Sequence, residues 1–455
     1  MAMSNRRRFL VNAGLLTGAA ALPTTTATTT ATAAGATARA APPGDAPTSP
    51  SGQPLVDASG RVDWSAVRAQ FRLAPDRVHL NAFLLSPHPA PVRAEIDRLR
   101  RLMDADPSWV QRAYWGDPSV KEWVRLRASL AGYLGGRPEE IAPVPNTTIG
   151  LALVYQGLRV RPGQELFVTE HDHFAHQNAV RLAAARGDAE VRVGRLYDDP
   201  ATVSVDEVAE RLRAAITPRT RAVGVTWVQS STGVKLPVPV LAEVVARANA
   251  GRAEADRCLL VVDGVHGLGA EDADVAALGA DIFVSGTHKW LFGPRGTGLV
   301  WARPDAWAQL RPVTPSFLRR DPVEPTTADD LVPGGFLAFE HVFAVPAAVD
   351  FHRRIGRDRV AARTRELSAR LRRGLADTPG VVLHTPLSER LSSGLTCFEV
   401  PGLDHHEVAD RLAERRIRIT NAQYRVPYPR LGTGITNRSE DVDRVLAEIR
   451  RLVRS

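Results

Sequence analysis

The sequence predicts an α/β protein in which a mostly parallel sheet, sandwiched by helices, is followed by a smaller C-terminal α+β domain. Three observations predict it. Short apolar runs recur along the middle of the chain: "QELFVTE", "EVRVGRL", "RAVGVTWV", "CLLVVDG", "DIFVSG" and "TGLVWA". Segments of helical period, such as "SVDEVAERLRAAI" and "PVPVLAEVVARANA", separate several of them. That alternation builds a sheet covered on both faces, whose strands read as continuous apolar runs. After about residue 340 the rhythm changes to one long Arg-rich helix over 346–375, strands near 380–400, a helix, a short strand and a final helix.

A chain of 455 residues has room for two domains beyond an N-terminal tail. With 44% hydrophobic and 24% charged residues it has the composition of an ordinary globular protein. The net charge of +8 raises nucleic acid as a partner. The arginines, however, alternate with acids, as in "RAEIDRLRRL", which marks solvated helix faces, and no aromatic-interleaved basic stripe appears, so no nucleic-acid partner is expected.

The N-terminus reads as an address. "NRRRFLV" is followed by the mildly apolar "NAGLLTGAAALP" and a Thr/Ala-rich stretch, with "ARAA" at 38–41 as a small-residue cleavage site. Arg6 and Arg7 with Phe9 and Leu10 resemble the twin-arginine export motif. Residues 1–40 are therefore expected to be a signal for the twin-arginine export machinery. Residues 41–61, rich in Pro, Ser and Gly, are expected to be a flexible linker. Residues 62–335 would form the large domain and 336–455 the small one. Export would place the protein in the periplasm or outside the cell, tethered to the membrane if the signal stays uncleaved.

Within the large domain, "SVKEWVRLRASLAGYLGG" predicts an amphipathic helix stopped at Gly135–Gly136. "PNTTIG" places a polar turn before another apolar helix. Cys258 and Cys397 sit in apolar, strand-like runs, which favours buried thiols over a disulfide or metal site. Only three lysines occur, Lys121, Lys235 and Lys289, in a chain that otherwise uses arginine. Arginine cannot give up its proton, so a lysine here raises the prospect of chemistry.

Ligands of open parallel sheets gather at the carboxyl ends of the strands. Those ends carry one coherent set: Asp263 and His266 after "LLVVD", Ser285, Thr287, His288 and Lys289 after "DIFV", His171, His173 and His176 after "LFVTE", and Ser230 to Thr232 after "VTWVQ". The set suits pyridoxal 5'-phosphate (PLP). Its aldehyde needs a lysine amine, and its pyridine nitrogen needs a carboxylate to stay protonated. Its phosphate wants hydroxyls and backbone N–H groups at a helix N-terminus, which "PNTTIG" offers.

"DGVHGLGA" and "DIFVSGTHKWLFGPRGTGLVWA", with the lysine 26 residues after the Asp, resemble the class V aminotransferase family of PLP enzymes, in its isopenicillin N epimerase-like branch. The likeness covers roughly residues 78–450. It implies fold type I, a homodimer, and an amino acid or related amine as substrate, transformed at Cα by transamination or epimerisation, with C–S or β-lyase chemistry as the alternative. It also implies roles. Lys289 matches the Schiff-base lysine and Asp263 the carboxylate at the pyridine nitrogen. His266 falls where a side chain meets the phenolic oxygen, and His173 where one stacks on the ring. Thr147, Thr148 and His288 match phosphate contacts, and Arg430, seven residues before Asn437, matches the grip on the substrate carboxylate. Where relatives carry a phosphate-binding Ser, this chain has Gly286, for which Thr287 or Ser285 would substitute. "PGGFLAFEH" (333–341) would reach the neighbouring subunit's site. The loop "NAQYRVPYPR" (421–430) lacks the cysteine of one desulfurase type. From another class, His171, His173 and His176 would make an exported metal-dependent hydrolase, although no second cluster completes such a site.

Overall fold

The computed structural model describes residues 54–114, 121–321, 324–421 and 424–454. Its centre is a seven-stranded sheet made of β1 (Ile141–Val144), β2 (Glu165–Thr169), β3 (Glu190–Gly194), β4 (Thr220–Thr226), β5 (Leu259–Asp263), β6 (Ile282–Gly286) and β7 (Gly298–Ala302). The spatial order is β1-β7-β6-β5-β4-β2-β3, and β7 alone runs against the rest. Every residue of β4, β5 and β6 is buried, as expected of central strands covered by helices on both faces. Helices Thr147–Gly157, Phe174–Gly187, Val205–Ala215 and Val238–Ala248 are the crossovers and flanking layers. The helix Glu122–Leu134 stops where expected, at Gly135 with φ 76°.

A second sheet is antiparallel, in the order Thr420–Asn421, Pro429–Gly432, Leu395–Glu399, Val382–Leu383. Helices Arg357–Ala376, His405–Glu414 and Ser439–Arg454 complete its layer. Its core, built around Leu367, Phe398, Leu412 and Leu446, also takes in Val78 and Leu80 from far upstream. The two-residue strand Val78–His79 pairs with Ile417–Arg418 in parallel, and the Asn437 amide donates to the His79 carbonyl at 2.9 Å.

Three expectations shift. The Arg-rich stretch is two helices, Val345–Ile355 and Arg357–Ala376, broken at Gly356, whose φ of 102° suits glycine. The first of them packs into the large core through Val345, Ala348 and Val349, residues beyond the expected end of the large domain at 335. Residues 54–61 of the segment expected to be linker are packed: Val56 pairs with Val62, and Leu55 joins a third core with Val67, Phe71, Phe292 and Phe351. Its apolar residues, not its Ser and Gly, decide that. The signal at residues 1–40 lies outside the described residues. Among the described residues no helix is long and apolar enough to cross a membrane.

Candidate active site

A cavity of about 190 Å³ opens at the carboxyl ends of β1, β2, β4, β5 and β6. Lys289 is the one lysine of the three that lines it, with Asp263, His266, His173, His288, Thr147 and Thr148. These are the strand-end residues singled out from the sequence, brought together by one edge of one sheet.

Lys289 follows β6 in a tight turn closed by the Phe292 N–H to the Lys289 carbonyl, 3.1 Å. The N-terminal segment buttresses the turn, because Ser86 donates through its backbone to His288 and through its hydroxyl to Lys289. Burial, seconded by the Arg430 charge and opposed by Asp263, pulls the Lys289 ammonium down to about 8. A minor but significant fraction of free amine is then present near neutral pH, and it grows as pH rises toward 8. Its Nζ lies 2.9 Å from His266 Nε2.

Asp263 ends β5, fully buried, and accepts the Val265 N–H at 3.0 Å. Burial raises its carboxyl. No cation pairs with it among the described residues, so the protonated nitrogen of a pyridine ring is the kind of partner it lacks. His173 caps the helix Phe174–Gly187 by accepting the Ala175 N–H at 3.1 Å. Burial, then the Lys289 and Arg430 charges, push its imidazole down to about 4. It is therefore a neutral ring, suited to stacking.

At the other end Asn146 caps the helix Thr147–Gly157 by accepting the Ile149 N–H, leaving the earlier first-turn N–H groups for an anion. Thr147 Oγ1 and His288 Nδ1 are buried there without a hydrogen-bond partner. Gly286 closes the cradle: a Cβ on it would stand 2.7 Å from the His288 ring and 3.2 Å from Thr147 Oγ1. A phosphate group, which can both accept and donate hydrogen bonds, answers these orphan polar atoms, so the residues present fit PLP. Thr287 leaves the set. Its hydroxyl is bound to the Thr297 hydroxyl at 2.5 Å, and it does not line the cavity. Ser285 likewise spends its hydroxyl on the Gly286 carbonyl.

The substrate side comes from the second sheet. Arg430 is buried, with Nε donating to the Thr420 hydroxyl at 3.0 Å and Nη1 to the Ser230 carbonyl at 3.1 Å, and it lies over the Phe83 ring at 5.1 Å. No carboxylate pairs with it among the described residues, an expensive state for a buried cation unless a ligand anion completes it. Two wall residues carry no role assigned from the sequence, Tyr424 and Ser230. Their hydroxyls meet at 2.5 Å, and Tyr424 stands edge-on to His173 at 5.8 Å between ring centroids. Burial lifts the Tyr424 phenol to about 12. Ser230 was visible as a strand-end hydroxyl, whereas nothing local in "NAQYRVPYPR" announces Tyr424.

The three-histidine metal reading fails. His171 stacks flat on Tyr197 at 4.4 Å, His176 Nε2 bonds the Tyr155 hydroxyl at 2.7 Å and His173 caps its helix. Among the described residues no three His, Cys, Asp or Glu could share a metal ion.

A lysine amine, a buried carboxylate and an anion cradle at the strand ends of such a sheet define a PLP-dependent α/β enzyme of fold type I. The chain belongs to the class V aminotransferase family, whose model matches residues 118–445. Isopenicillin N epimerase of Streptomyces clavuligerus is 30% identical over 84% of this chain and 97% of that protein. The Amycolatopsis lactamdurans enzyme of the same name is 32% identical over 74% and 85%. Among solved structures, the cystine C–S lyase C-DES with a glycine linked to its PLP cofactor aligns with a TM-score of 0.75 at 21% identity, covering 84% of this chain and 98% of that one. The Escherichia coli cysteine desulfurase CsdA gives 0.72 at 20%, covering 87% and 99%. At those identities the structures speak for the fold alone.

Proposed function

We propose that the chain epimerises an amino acid at Cα. The observation that carries this reading is a pair of proton-bearing side chains, Lys289 and Tyr424, on the wall of one cavity. PLP supplies the electron sink that makes a Cα proton labile. Lys289, with a free amine near neutral pH, is the group to take that proton. Inversion needs a proton returned from a different direction, which transamination does not. Tyr424 keeps its proton well above neutral pH and is oriented by Ser230 as such a donor. Arg430 holds the α-carboxylate through two parallel hydrogen bonds. The epimerase relatives support the same reaction. Desulfuration through a cysteine nucleophile is disfavoured, since burial lifts both Cys258 and Cys397 to about 12.

Incubation with L-amino acids in D2O tests it. Inverted product with deuterium at Cα is expected, and Tyr424→Phe should keep exchange at Cα while losing inversion. A keto acid in place of inverted product would mean transamination, and a released leaving group would mean lyase chemistry.

Two further expectations belong here. Export by the twin-arginine route rests on Arg6 and Arg7, and replacing both with Lys should retain the folded protein in the cytoplasm. A homodimer is supported by Leu85, 54% exposed one residue from the Ser86 buttress, and by Phe336, 71% exposed in "PGGFLAFEH". Sedimentation at the mass of one chain would remove that reading.

A further inference from the structure

We propose that Trp290 is a positioning residue that fixes the tautomer of His266 and, through it, holds the Lys289 amine as a hydrogen-bond acceptor. The inference rests on Lys289 being the reactive amine and adds the device that keeps it reactive.

The indole N–H of Trp290 reaches His266 Nδ1 at 3.2 Å. An indole can only donate, so Nδ1 is the accepting, unprotonated nitrogen. His266 is buried, and Lys289, Arg430, His173 and His288 face it. Burial first, and then these groups, keep its imidazole neutral, with a single proton. That proton is on Nε2, the atom 2.9 Å from Lys289 Nζ. An N–H there can only donate, and so can an ammonium. The contact is a hydrogen bond only when Nζ offers its lone pair. The other charged groups acting on Lys289 oppose one another, Arg430 favouring the amine and Asp263 the ammonium. The His266 tautomer therefore weighs on the balance.

Trp290 is itself held by Phe83 of the N-terminal segment and by two glycines of the C-terminal domain. Its ring stacks on Phe83 at 5.7 Å and 12°. It also lies against Gly394 and Gly434, where a Cβ would come within 2.5 Å and 3.2 Å of ring carbons. The indole has no room to turn its N–H elsewhere. Without that N–H, His266 is free to place its proton on Nδ1 and accept from a Lys289 ammonium at Nε2.

The test uses apo-protein, so it does not depend on cofactor loading. Nitrogen-15 NMR of labelled histidine should show His266 protonated on Nε2 in the parent. Trp290→Phe, which keeps an aromatic ring, should move the proton to Nδ1. The same samples are acylated with a small electrophile across pH, and Lys289 modification is read by peptide mass. The midpoint, near 8 in the parent, should rise by about one pH unit, the scale of one charge-assisted hydrogen bond. In a His266→Phe background the Trp290 substitution should shift nothing, since its effect passes through that ring. If Trp290→Phe does not fold, benzothienylalanine at 290 deletes the N–H and keeps the bicyclic shape. An unchanged tautomer, an unchanged midpoint, or a shift that persists without His266 would overturn the proposal. A cofactor bound to another lysine would instead refute the role of Lys289, and borohydride reduction reads that separately.

Discussion

The cofactor half of the site and its substrate half are built differently. Asp263, Lys289, His288, Thr147 and His173 all stand within five residues of a strand end in one seven-stranded sheet. Arg430 and Tyr424 arrive on a short hairpin of the other sheet, and their contacts to the first half run through Ser230 and His173. The first half is a rigid frame whose spacing is set by the sheet. The second can be altered without moving it. Damage to the frame should therefore abolish chemistry on every substrate, whereas damage to the hairpin should re-rank substrates.

The largest effect belongs to Lys289. Lys289→Ala should end turnover, because Lys235 is engaged by Glu271 at 2.9 Å and neither it nor Lys121 lines the cavity. Borohydride reduction of the loaded parent should label Lys289, and label on either other lysine would refute the assignment. Because burial lowers this lysine to about 8, the amine fraction grows as pH rises and saturates above that value. Loading of apo-protein with PLP should accelerate through the same window and then level off. Asp263→Asn comes next. It removes the carboxylate that keeps a pyridine nitrogen protonated, at a cost on the order of 10²-fold in kcat or more. Near-native rates in that variant would mean that Asp263 faces something else.

The same contrast explains which residues are legible in the sequence. Asp263, His266, His288 and Lys289 were legible because a strand in a buried parallel sheet is a continuous apolar run, and the polar residues that end it must face the carboxyl edge. Thr147 was legible as the first helical residue after a cap. Thr287 was misread because its hydroxyl, one residue from His288, faces Thr297 instead of the cavity; orientation along a short turn is not written in composition. Tyr424 was invisible because its place depends on the pairing of Thr420 with Arg430, a tertiary fact. The break at Gly356 was hidden by an Arg-rich pattern that runs through it, although the glycine was there to be weighed.

Arg430→Lys probes the hairpin. A lysine keeps the charge but cannot offer two parallel donors. Amino-acid substrates should lose about 1.5–3 kcal/mol of kcat/KM, while the corresponding decarboxylated amines should be nearly unaffected. Equal losses on both would show that Arg430 only supports the Thr420 and Ser230 contacts, and the hairpin would then be structural rather than selective.

The smallest expected effect returns to the frame and separates its two duties, folding and ligand binding. Thr147 Oγ1 is buried with no partner. A buried polar atom left unsatisfied costs about 1–3 kcal/mol, which the fold bears without return unless a ligand uses the atom. Thr147→Val keeps the shape and removes the hydroxyl. Apo-protein should therefore melt at the same temperature or slightly higher. PLP affinity should fall by about fivefold, the worth of one hydrogen bond of ~1 kcal/mol. Opposite signs in the two measurements are the signature of an atom kept for a ligand. If the valine variant melts lower and binds PLP as tightly as the parent, Thr147 serves the helix start alone, and the phosphate must be held by the backbone N–H groups and His288.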